Sequence, residues 1–156
     1  MTLATLAIHA EAWLQEELGA QRAILAVLAR IEAAACAAAS ADLTSSGREL
    51  ERLLTGAGAR DGRRAALLAR LGAALGGPAE GLTMTRLCAR LGAQGIDTTR
   101  LEPMCAELRE AARSVLQASR RMAALAQYHR GFFEELCRLL QVGSPSGEGH
   151  LVDARA

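Results

Sequence analysis

Ser144, Ser146, His150 and Asp153 are the side chains whose types come nearest to a nucleophile, base and acid set, and all four fall in the closing stretch "GSPSGEGHLVDARA". A serine becomes a nucleophile only when a base is held at hydrogen-bond distance and is itself oriented. Gly143, Pro145, Gly147 and Gly149 interleave with these residues, so nothing local fixes that register. Glu134 and Glu135 are sequence neighbours, and on a helix neighbouring residues point in different directions, so they do not form a carboxylate pair. His129 falls on an apolar stripe, where a partly buried histidine with a hydrogen-bond partner is the expectation, ahead of a pH-sensitive contact or a ligand. Cys36, Cys88, Cys105 and Cys137 include no CxxC pair and have no histidine at zinc-ligand spacing. They are expected as reduced thiols acting as small hydrophobes, with no metal and no cofactor. No strand is expected, so no glycine-rich phosphate loop can follow one. This inventory argues against an enzyme.

What such a chain can offer instead depends on its elements. With 156 residues it has the size of one domain. Hydrophobic residues make up 51%, much of it alanine, but aromatics only 3%. That balance suits long helices approaching on small side chains. Basic and acidic residues nearly cancel, at a formal +1, and every basic residue is arginine. The arginines are dispersed among acids, which argues against a nucleic-acid partner. The opening "MTLATLAIHAEAWL" lacks the basic flank of a signal peptide, and no apolar run has membrane-spanning length. A soluble, cytoplasmic protein without stable membrane insertion is expected.

Leu3, Leu6, Ala10, Trp13, Glu17, Ile24, Leu28, Ile31 and Ala35 keep helical steps, predicting one helix from Leu3 to about Ala39. Asp42 is a candidate N-cap for a second helix, with Leu43, Leu50, Leu53, Ala57, Leu67, Leu71 and Ala74 as its stripe. Gly56, Gly58 and Gly62 make its middle either a weak point or a break. "GGPAEGL" ends it, Thr83 can cap a short helix, and "TRLE" from Thr99 carries a capping-box pattern before Pro103. A last long helix follows, its stripe running from Leu101 through Met104, Leu108, Ala111, Val115, Ala118, Met122, Leu125, His129, Phe132 and Leu136 to Leu139. The expected fold is all-α: an elongated antiparallel helical bundle of three long helices plus a short helix, over residues 1–141, with a flexible C-terminal tail at 142–156.

Within "QYHRGFFEELCRLLQ", Tyr128, Phe132, Phe133, Leu136, Cys137, Leu139 and Leu140 cover more than one helix face. A helix that is apolar over so broad an arc is either the best-packed end of the core or a surface awaiting a partner. In the tail, Leu151 and Val152 interrupt an otherwise polar spacer and suggest a small docking element on a leash.

The order of a long Leu/Ala/Glu helix, "SADL", "RRAALLARLG", "GLTMTRLCARL", a long last helix and a soft spacer before "LVDARA" resembles the FlgN family of flagellar export chaperones. The family's closing signature is Leu/Thr-Tyr-Asp-Ala/Ser-Arg-Gly. Asp153, Ala154 and Arg155 match it, while Val152 replaces the tyrosine and Ala156 the glycine. In the last helix Ser119 stands where the family has an asparagine. The resemblance implies a cytoplasmic chaperone of flagellum assembly and type III secretion. Such a chaperone binds the terminal helices of hook-associated (hook–filament junction) proteins, prevents their premature assembly and escorts them to the export apparatus. The apolar arc of the last helix, with Met122, Leu125, Phe132, Phe133, Leu136, Leu139 and Leu140, is the surface expected to bind that cargo. Docking on the export-gate protein would fall to Leu151, Val152, Asp153 and Arg155. The alternative is a homo-oligomeric coiled-coil structural or adaptor protein, in which self-association covers the apolar helix and there is no export role.

Overall fold

The computed structural model describes residues 2–77 and 83–142, the last four as backbone only. It is all-helical among those residues: α1 (Leu3–Cys36), α2 (Ser40–Thr55), α3 (Ala57–Ala74), α4 (Met84–Ala93) and α5 (Leu101–Val142). The expected second helix is therefore two. It breaks at Gly56, whose φ of −72° and ψ of −14° keep the two pieces in helical turn geometry. Five helices thus stand where three long ones and a short one were expected.

The starts and stops follow from local chemistry. Thr2 caps α1, its hydroxyl accepting from the Thr5 N–H at 3.2 Å, and Thr83 caps α4 by accepting from Arg86 N–H at 3.3 Å. Asp42 does not cap α2. The helix begins two residues earlier, Ala39 stands at its N-cap without a side-chain bond, and Asp42 sits in the first turn, where its negative charge is favoured by the positive end of the helix dipole. The expected Thr99–Glu102 box is also displaced. Thr98 donates its hydroxyl to Glu102 Oε1 at 3.1 Å, while Thr99 turns to Asp97.

Three helices end in the same way. After α3 the Gly77 N–H reaches Gly72 O at 3.0 Å and Gly76 reaches Ala73 O at 3.2 Å; after α4, Ile96 reaches Leu91 O and Gly95 reaches Gly92 O, both at 3.0 Å. This double bond pattern needs a left-handed residue at the turn, supplied by Gly76 (φ 69°) and Gly95 (φ 75°). After α1 the pattern recurs, with Ala39 to Ala34 O at 2.9 Å and Ala38 to Ala35 O at 3.3 Å, which stops the helix at Cys36 rather than Ala39. Here the left-handed residue is Ala38 (φ 53°), whose Cβ is strained in that region. Ala38→Gly is expected to stabilise the protein by about 0.5–1 kcal/mol, the relief of strain exceeding the added unfolded-state entropy. A melting temperature at or below that of the parent would contradict this account.

By its contacts the chain forms two units, residues 1–119 and 120–156. In the first, Leu6, Ala7, Ala10, Trp13 and Leu14 of α1 pack with Leu67 and Leu71 of α3, Leu87, Cys88 and Leu91 of α4, and Leu101 and Cys105 of α5. Each fully buried leucine contributes roughly 1.5–3 kcal/mol of transfer free energy. Further along α1, Leu18, Ile24, Val27, Leu28 and Ala34 are buried too, and α2 adds the small Ser46. Ion pairs trace the antiparallel register, with falling numbers on α1 matched by rising numbers on α2 and α3. Arg30 meets Glu49, Glu17 meets Arg60 at 2.8 Å, and Glu16 meets Arg63.

Candidate functional site

The second unit is the C-terminal part of α5. At 100° per residue its apolar side chains, from Tyr128 through Phe132, Leu125, Leu136 and Met122 to Phe133, span an arc of roughly 140°. The structure leaves most of that arc exposed: Tyr128 by 71%, Phe132 by 57%, Phe133 by 60% and Leu136 by 40%. Met122 and Leu125 are half-buried, and every described side chain from Ala126 to Arg138 is exposed. The rings pair with their sequence neighbours, Phe132 with Phe133 and Tyr128 with His129, each with centroids 5.9 Å apart. His129 is therefore exposed rather than partly buried, as is every described side chain of the stripe beyond Leu125.

The opposite face of this stretch is polar and internally compensated. Arg130 donates to Glu134 at 2.8 Å, and Arg138 donates twice to Glu135, at 2.9 and 2.6 Å. Those hydrogen bonds hold the Glu135 carboxyl below its ordinary range and raise the Arg138 guanidinium. A surface built this way offers apolar area without net charge. Gly131 belongs to this polar side and has open space where a Cβ would stand.

Of the residues expected to bind cargo, Met122, Leu125, Phe132, Phe133 and Leu136 share this one arc. The side chains of Leu139 and Leu140, and all of Leu151, Val152, Asp153 and Arg155, lie outside the described residues.

Two polar arrangements in the first unit escaped sequence reasoning. Glu17, an acid on the apolar stripe of α1, is nearly buried against Arg60, whose carbonyl also accepts from Trp13 Nε1 at 3.1 Å. A charge at a stripe position was the available signal. The second is a thiol pair. Cys88 Sγ and Cys105 Sγ lie 3.8 Å apart and buried, whereas Cys36 and Cys137 are exposed. Burial raises the Cys88 thiol, and burial with the neighbouring Cys88 pushes Cys105 up to about 12. In the unfolded chain both would ionise near 9.0. The fold thus holds protons that the unfolded chain releases, so this stability is complete below about pH 9 and is lost as pH rises towards 12. The sequence contains no lysine to titrate in the same window. The melting temperature is expected to fall by several degrees across that range, and Cys88→Ala with Cys105→Ala should flatten the slope. An equal slope in the double variant would rule the thiols out as its cause.

Among the described residues no group of three or more His, Cys, Asp or Glu is placed to hold a metal, and no helix is long and apolar enough to cross a membrane. The fold and the site together define an all-helical protein presenting an uncovered apolar helix face. No family model matches the chain, and no curated protein or solved structure is significantly similar to it.

Proposed function

We propose that this protein is a cytoplasmic export chaperone of the FlgN type, acting by binding rather than catalysis. Its cargo is the terminal amphipathic helix of a hook-associated protein. The observation that carries this reading is the uncovered arc of Tyr128, Phe132, Phe133 and Leu136. An amphipathic helix laid on such an arc buries its own apolar stripe, which otherwise lacks a partner until assembly. In this reading α1, the α2–α3 pair, the short α4 and the first part of α5 form an antiparallel bundle, and the cargo helix covers the arc on the rest of α5. The tail residues Leu151, Val152, Asp153 and Arg155 then dock on the export-gate protein while the cargo is held, as the family resemblance implies.

The test is titration of a synthetic cargo-terminal helix into the full chain, followed by sedimentation of the mixture. The expected result is a complex whose affinity changes little between low and high salt, because the flanking charges are already paired within the helix. Self-association that survives excess cargo helix would favour the coiled-coil adaptor instead. Deleting residues 144–156 should leave the cargo affinity nearly unchanged and abolish binding of the complex to the gate's soluble domain. Equal gate affinity without the tail would remove the docking role.

A further inference from the structure

Cys88 and Cys105 have no place in cargo binding, yet the fold brings them together from different elements. Cys88 lies on α4 and Cys105 on α5, separated by the loop that contains Gly95 and Asp97. Their sulfurs are 3.8 Å apart, and a disulfide needs about 2.05 Å, so each must move by roughly 0.9 Å, within reach of a side-chain rotation. The pair forms part of the wall of an open cavity of about 260 Å³, lined also by Thr85, Ala89, Glu102 and Arg109. Both thiols are nearly buried, at 3% and 5% exposure, so a disulfide reagent must reach them through this cavity, with its bulk left outside. The charged groups facing the thiols are few: Glu102 disfavours both thiolates, and Arg109 favours that of Cys105.

We propose that Cys88 and Cys105 form a redox modification site that closes into an intramolecular disulfide by exchange with a small-molecule disulfide of the glutathione class. Either sulfur can be the donor in the contact between them, so either thiol can open the exchange, here Cys88. Its sulfur bonds to one sulfur of the reagent, the reagent's S–S bond breaks, and the first thiolate leaves and takes up the Cys88 proton. Cys105 then gives up its proton and attacks Cys88 Sγ, expelling the second thiol. Two protein thiols are oxidised to one disulfide, and one small disulfide is reduced to two thiols. The bond ties α4 to α5 inside the shared core, and closing that loop stabilises the fold. Because burial keeps both thiols protonated, the exchange is slow at neutral pH and accelerates as pH rises.

The experiment uses the full chain with Cys36→Ser and Cys137→Ser, which removes the exposed thiols, incubated with oxidised glutathione. The expected product has lost two hydrogens by mass, yields a Cys88–Cys105 linked peptide, melts several degrees higher and reverts with dithiothreitol. Adding Cys105→Ser, or Cys88→Ser in its place, should trap glutathione on the thiol that remains. No trapping in either single variant would overturn the exchange route. Two thiols that remain alkylatable on denaturation after prolonged incubation at pH 9 would overturn the site itself.

Discussion

Phe132→Glu combined with Leu136→Glu should weaken cargo-helix binding by about 100-fold or more while leaving helical circular dichroism and the melting temperature close to those of the parent. Each side chain still exposes much of its area, and burying what remains under a partner contributes roughly 1–2 kcal/mol apiece. A loss of about 3 kcal/mol corresponds to about two decades in Kd. Glutamate is a good helix former, so α5 itself should tolerate both changes. Gln127→Glu, on the polar face of the same stretch, is the matched control and should leave binding unaffected. If the double variant loses helicity and melts early, the arc belongs to the protein's own packing and not to a partner. Unchanged binding with intact helicity would place the cargo elsewhere.

Leu71→Ala should cost about 2–5 kcal/mol, where Leu54→Ala costs less than about 0.5 kcal/mol. Leu71 is 0% exposed within the cluster formed with α1, α4 and α5, and truncation leaves a cavity its neighbours can only partly fill. Leu54, on α2, is 52% exposed and leaves none. Chemical denaturation of the two variants separates these outcomes, and similar midpoints would mean that the core is not where the structure puts it. Against a typical stability of about 5–15 kcal/mol, the Leu71 loss threatens folding at physiological temperature. It should nevertheless spare the chemistry of the α5 arc in whatever fraction stays folded.

The helical class was legible because periodicity of three and four is a local property. The cap at Thr83, the stop before Gly76 and the start of α5 near Pro103 were legible for the same reason: each depends on residues within one turn. The pattern failed where two local signals competed. Asp42 is a good cap by type, but the left-handed turn at Ala38 had already satisfied the end of α1, leaving α2 to start at Ser40. The glycines at 56, 58 and 62 announced a weakness without saying which would yield, and Gly56 did.

The sequence by itself determined that the chain is helical and carries a broad apolar arc on its last helix. Only the tertiary structure decided that this arc is exposed, since the same stripe of α5 is buried at Leu101 and open at Phe132. Periodicity tells which side chains share a face, whereas burial depends on what packs against it from far along the chain. The same holds for Glu17 with Arg60, 43 residues apart, and for Cys88 with Cys105, 17 apart. Such pairs have no spacing rule, because the distance between them is set by how whole helices pack and not by the turn of any one.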